Sequence, residues 1–139
     1  ILVDLLSEYH INVGGKTIKK RIVGGLLGHW AVWAQSAVQL LEDAHSGKFD
    51  NDIQKTLALA NQITDTNAVF FDAANNFAGC ITGLHEVLRR QGLLEGIWTL
   101  NEEEALSPGQ KEEIERVCAA YPHLNDDAFV KENLDRWLE

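Results

Sequence analysis

Apolar positions recur along the chain with two different periods, and the change of period divides it into elements. Residues 1–9 place Leu2, Leu5, Leu6 and Tyr9 at helical spacing. Two β-prone runs follow, residues 10–13 and 16–23, on either side of Gly14 and Gly15. This pattern predicts a hairpin, because both glycines accept the positive φ that a tight turn demands. The second arm continues into residues 21–33, RIVGGLLGHWAVW, where residues 22–27 predict a strand that passes through Gly28 and His29 into a helix. A strand without alternation is typical of one buried on both faces of a parallel sheet.

The remainder is helical in pattern. Val32, Trp33, Ala37, Val38, Leu40, Leu41 and Ala44 form one broad face over residues 31–44, closed by Ser46 and Gly47. Asp50 or Asn51 can cap a second long helix, in which Ile53, Leu57, Ala60, Ile63, Thr64, Asn67, Phe70 and Phe71 carry the period to about residue 72. Residues 73–80 suit an irregular crossing around a buried Phe77. A shorter helix begins at Thr82 or Gly83 and stops at Gly92, and residues 93–100 form a connector expected to bury Trp98. Ser107 and Pro108 read as an N-cap with proline in the first helical position, and Pro122 follows the end of that helix. Asp126 or Asp127 can cap a last helix holding Phe129, Val130, Leu134 and Trp137.

One strand or hairpin among five or six helices leaves a strand in search of a partner. Each buried backbone group without one costs about 1–3 kcal/mol. Either the hairpin stands isolated in solvent, which is marginal, or a sheet lies outside this chain. The start points the same way, since the chain opens at Ile1 inside the apolar run ILVDLL with no N-cap and is expected to be cut into.

Composition narrows the function classes. The 139 residues suffice for one ordinary domain, and an apolar share of 45% suits a packed core. A net charge of −9 argues against a general nucleic-acid or membrane-surface role. Lys16, Lys19, Lys20 and Arg21 form a local basic cluster, most simply a strand edge whose lysines discourage edge pairing. Cys80 and Cys118 lie far apart among apolar residues, which favours a reduced, cytoplasmic protein, and no apolar run approaches the roughly 20 residues needed to cross a bilayer.

Most motif matches fail on spacing. Gly14-Gly15-Lys16-Thr17 ends like a phosphate-binding loop, but His10 stands where its first glycine belongs. His85 and Glu86 begin like a zinc-protease helix, yet Arg89 occupies the second histidine's place, so no metal site is expected. The carboxylates of Glu102, Glu103 and Glu104, and of Asp126 and Asp127, belong to solvated loops and helix starts. Trp30, Trp33, Trp98 and Trp137 read as packing residues. Three positions keep a functional reading. Gly24 and Gly25 mark close approach by a ligand or by another backbone. His29, just past the strand, either contacts a polar ligand or hydrogen-bonds backbone in a packed loop.

The succession NDIQKTLALANQITDTNAVFFDA, GCITGLHEVLRRQGLLEG and LSPGQKEEIERVCAAYPHL, preceded by RIVGGLLGHWAVW, resembles the carboxyl-terminal part of the dihydrodipicolinate synthase and N-acetylneuraminate lyase family. The resemblance spans nearly the whole chain and only the final portion of the family's protein. It implies a parent α/β TIM barrel, (β/α)₈, which typically needs about 250 residues. Residues 1–45 would then be the end of the barrel: helix 7, an inserted hairpin, strand 8 at residues 22–27, and helix 8. Residues 46–139 would be a C-terminal helical extension. The family's chemistry is a Schiff base between a lysine and a 2-oxo acid such as pyruvate, assisted by a tyrosine. Both groups are expected upstream of Ile1, so the chain alone would be catalytically incomplete. No cofactor is implied. Gly24, Gly25 and His29 become the expected substrate-binding positions, a homo-oligomer is expected, and the remaining barrel strands become the first partner. The alternative is a non-enzymatic helical module whose apolar faces bind a protein.

Overall fold

The computed structural model describes every residue except Leu26 and Leu27, and the side chain of His29 lies outside the description as well. It is a small, mostly helical domain with one two-stranded sheet. Helix α1 (Leu2–Leu6) leads into strands β1 (Glu8–Val13) and β2 (Lys16–Arg21). Helices α2 (Ala34–His45), α3 (Ile53–Phe70), α4 (Cys80–Arg90), α5 (Gln110–Ala120) and α6 (Asp127–Leu138) follow, with short 3₁₀ turns at His29–Ala31 and Ala73–Asn75.

Helix α3 is the axis against which α1, α4 and α5 pack. Thr56, Ala60, Ile63, Thr66 and Phe70 are its buried residues, spaced three or four apart so that they line one face. Asp52, and not Asp50 or Asn51 as expected, caps its start, accepting the Lys55 N–H at 3.1 Å. Leu2 and Leu5 of α1, Leu40 of α2, Val87 of α4, and Ile114 and Val117 of α5 are also buried, with Leu2, Leu40, Val87, Ile114 and Val117 sharing one core with Ile63 and Phe70. Trp33 is 2% exposed and meets Phe70 edge-on, their ring centroids 5.0 Å apart. A Cβ on Gly83 would run into the Phe70 carbonyl, so this glycine lets α4 lie directly on the end of α3.

The hairpin forms where the glycine pair puts it. Gly14 and Gly15 both take positive φ, 55° and 77°, and the ladder runs from Glu8 opposite Arg21 to Val13 opposite Lys16. It begins earlier than the periodicity indicates. Ser7 turns extended and ends α1 at Leu6, which sends Tyr9 into β1.

The expected strand at residues 22–27 is not found where it can be assessed. Residues 22–25 have no regular structure, and Leu26 and Leu27 lie outside the described residues. A strand needs a second strand to take its backbone hydrogen bonds, and the sheet ends at Arg21.

Several residues expected inward face out: Val38, Ile53, Leu57, Phe77, Trp98 and Trp137, with Trp98 at 68% exposure. The chain accordingly exposes 9215 Å². A compact monomer of its 15.5 kDa mass exposes about 7,200 Å², so roughly 2,000 Å² is in excess. No helix among the described residues is long and apolar enough to cross a membrane.

Candidate functional site

A cleft of about 560 Å³ lies where α1 meets the chain leaving the hairpin, lined by Ile1, Asp4, Leu5, Ile22, Gly24, Gly25 and Trp30. It contains both glycines singled out from the sequence, and they play different parts. A Cβ on Gly24 would meet nothing within 4 Å, whereas one on Gly25 would strike the Trp30 indole, 2.8 Å from Cη2. Close packing of a ring therefore explains Gly25, and open cleft surrounds Gly24. His29 heads the 3₁₀ turn His29–Ala31, but its side chain is not among those described.

Two residues of this region escaped sequence reasoning. Trp30, read as packing, forms a wall of the cleft, and its indole N–H is buried without an acceptor among the described residues. Gly28 has a φ of 90°, and a Cβ there would lie 2.7 Å from Asn67 Oδ1 and 2.8 Å from Ile1 Cδ1. That Asn67 oxygen is likewise buried without a donor among the described residues. The signal was the glycine directly before His29 and Trp30, where a buried turn demands a missing side chain. On the outer side Tyr9 donates its hydroxyl to Asp4 Oδ1 at 3.0 Å, and this bond raises the phenol above its ordinary pKa.

Among the described residues the cleft walls are apolar apart from Asp4, and no lysine lines them. Lys16, Lys19, Lys20, Lys48, Lys55, Lys111 and Lys131 are all exposed, whereas a lysine that forms Schiff bases works in a desolvated setting. Among the described residues no group of three or more His, Cys, Asp or Glu side chains is placed to hold a metal ion. The cleft can receive a small, largely apolar body, and none of the described residues that line it is a nucleophilic lysine, cysteine or serine.

Three buried carboxylates elsewhere are structural. Asp72, 3% exposed and at a φ of 56°, accepts the Gly79 N–H at 2.8 Å, the Asn75 amide at 2.7 Å and the Ser107 hydroxyl. Burial acts to raise its pKa, but the bonds from Asn75, Ser107 and Gly79 outweigh it and hold the carboxyl below its usual range. Gln110 closes the same junction, donating to the Gly79 carbonyl at 2.9 Å and accepting the Ser107 N–H at 3.0 Å. Ser107 thus keeps half of a capping box. Its hydroxyl goes to Asp72, and α5 begins at Gln110 after Gly109, two residues later than Pro108 indicates.

Asp126 stands at the N-cap position of α6, as one of the two residues expected there, but its side chain makes no cap bond to that helix and is withdrawn from solvent. It is 7% exposed and accepts the backbone N–H of Gln35 at 3.0 Å and the Gln91 amide at 2.8 Å. It therefore caps α2, whose own N-cap position is filled by Trp33 and offers no side-chain acceptor. Glu86, 3% exposed, is held by Arg89 at 2.7 Å and Arg90 at 2.9 Å. Glu102, Glu103 and Glu104 are exposed, as the sequence indicates.

Compared with known protein families, with curated proteins and with solved structures, the chain gives no match.

Proposed function

We propose that this chain is the C-terminal segment of a dihydrodipicolinate synthase-like Schiff-base lyase or aldolase acting on a 2-oxo acid such as pyruvate, catalytically incomplete alone. One observation carries most weight beside the ordered sequence resemblance. Residues 22–25 fall where the resemblance puts the last barrel strand, and they run along an open cleft without a strand partner among the described residues, with Val23 79% exposed. An exposed apolar segment outside any sheet suits a place where further strands pair and a substrate-bearing lysine approaches Gly24. The exposed lysines agree with chemistry supplied from outside these residues. Free thiols at Cys80 and Cys118 suit a reducing cytoplasmic setting.

The test is trapping in the full-length protein. Incubation with pyruvate and borohydride is expected to add one reduced adduct, mapped to a lysine outside these 139 residues. An unchanged intact mass over a panel of 2-oxo acids would remove the lyase reading. The second reading, a non-enzymatic helical interaction module, draws on the exposed Trp98 and Leu100, and it requires that no 2-oxo acid yield an adduct.

A further inference from the structure

The hairpin sorts its residues into two unlike faces, since residues paired across a ladder share a face. Glu8 with Arg21, His10 with Lys19 and Asn12 with Thr17 form one of them. Much of that face is satisfied internally: Lys19 lies 2.8 Å and His10 2.9 Å from Glu8 Oε1, and Thr17 donates to Asn12 at 2.8 Å. The other face pairs Tyr9 with Lys20, Ile11 with Ile18 and Val13 with Lys16. Its apolar stripe is 38–55% exposed, and neither Lys16 nor Lys20 has an ion-pair partner among the described residues. A two-stranded hairpin with such a face in water is marginal. Lysines at the margins oppose edge-to-edge pairing, so what stabilises it must lie across the face.

A complementary surface exists on the same chain. A cleft of about 490 Å³ is lined by Ile81, His85, Trp98, Leu100 and Glu104 together with Thr99 and Asn101. Trp98 is 68% exposed, Leu100 is fully exposed, and His85 Nδ1 is buried without a partner among the described residues. Glu102 and Glu103 adjoin it in the same turn, and none of the three glutamates is ion-paired among the described residues.

We propose that the apolar face of the hairpin docks into this cleft on a second copy of the chain. Ile11 and Ile18 would meet Trp98 and Leu100, and Lys16 and Lys20 would face Glu102, Glu103 and Glu104. Charge selects this occupant. Four cations against the single acid Glu8 give residues 8–21 a charge of +3, which leaves −12 on the remainder of a chain whose total is −9. A basic arm on an acidic body is complementary to another copy of itself. Area allows it, since the surplus of roughly 2,000 Å² per chain exceeds the about 800 Å² that each partner gives to a standard interface. Arm and cleft are different patches, so two copies related by a two-fold axis would each give one hairpin and receive one. The proposal does not depend on the lyase chemistry.

Sedimentation of the 139-residue chain tests it. The wild-type chain is expected to form a dimer or closed ring in the micromolar range, weakened by salt. The charge reversals K16E/K20E and E102K/E103K/E104K are each expected to weaken association about a hundredfold. An equimolar mixture of the two variants restores it, because each arm then meets a cleft of opposite sign. Unfolded variants would not rescue one another, so the mixture separates lost docking from lost folding. A wild-type chain that stays monomeric, association indifferent to both reversals, or a mixture that fails to recover would overturn the proposal.

Discussion

Replacing Asp72 removes one carboxylate and loosens three segments, because Gly79, Asn75 and Ser107 all donate to it. In Asp72→Ala the Gly79 N–H is left buried without an acceptor, a loss of about 2–3 kcal/mol, while the half-buried Ser107 hydroxyl adds about 1. Asn75 is exposed and can turn to water, so it adds little. The backbone at residue 72 has a φ of 56°, which aspartate tolerates better than alanine, for about 1 kcal/mol more. The sum is about 4 kcal/mol, and at a urea m-value of about 2 kcal/mol/M the midpoint falls by about 2 M. Tryptophan fluorescence reports the transition, since Trp33 packs against Phe70 at the same end of α3. Asp72→Asn keeps the shape but turns an amide toward donors, at about 2–3 kcal/mol.

The pH dependence carries a sign of its own. The folded-state pKa of Asp72 is depressed, so its stabilisation is fully present above the unfolded value of about 3.9 and fades as pH falls through the lower folded value. The stability gap between wild type and Asp72→Asn should therefore be level near neutrality and narrow in acid. An Asp72→Ala loss below about 1 kcal/mol, or a gap that ignores acid, would refute the account of this junction.

Three further outcomes are expected. Burial and the Asp72 charge hold the Cys80 thiol above its ordinary pKa, so Asp72→Asn should lower it, read as faster alkylation at fixed alkaline pH. Glu8, bonded by Lys19 and then His10, titrates at about 2; an NMR titration should show Lys19→Gln moving it back toward 4.5, with little effect on global stability because the pair is exposed. Gly28→Ala should cost about 2–4 kcal/mol by thermal or urea unfolding, through its φ of 90° and the approach to Asn67, whereas Gly15→Ala meets no neighbour and should cost about 1.

Local signals gave most of the elements. The glycine pair and the run from Ala60 through Ile63 to Phe70 each act within a few residues, so the hairpin and α3 were legible, although the cap falls at Asp52 and not at Asp50 or Asn51. Gly92 also sits at a positive φ of 80° just beyond α4, where the pattern placed a stop. Burial was legible only where this chain supplies the cover. Phe77 and Trp98 are apolar enough for a core, but no described element lies over them, and they are 60% and 68% exposed. Asp72 and Asp126 were illegible for the opposite reason. Their donors come from helix starts and turns distant in sequence, such as Gln35, 91 residues from Asp126, and no spacing rule brings such groups together. Of the cleft, Gly24 and Gly25 were found through strand composition, while Trp30, read as packing, does pack on Gly25 and its second part as a cleft wall left no mark in the sequence.

The base of the hairpin has a consequence for how this chain can vary. Glu8 and Arg21 are paired neighbours, so the polypeptide departs and returns at adjoining points. Residues 8–21 form a closed excursion whose length and sequence are independent of the path taken by everything else. Such a segment can be gained, trimmed or exchanged between lineages without re-threading the helices, and a short glycine bridge from Ser7 to Ile22 is the natural graft point. Whatever this arm recognises can therefore change faster than the domain that carries it.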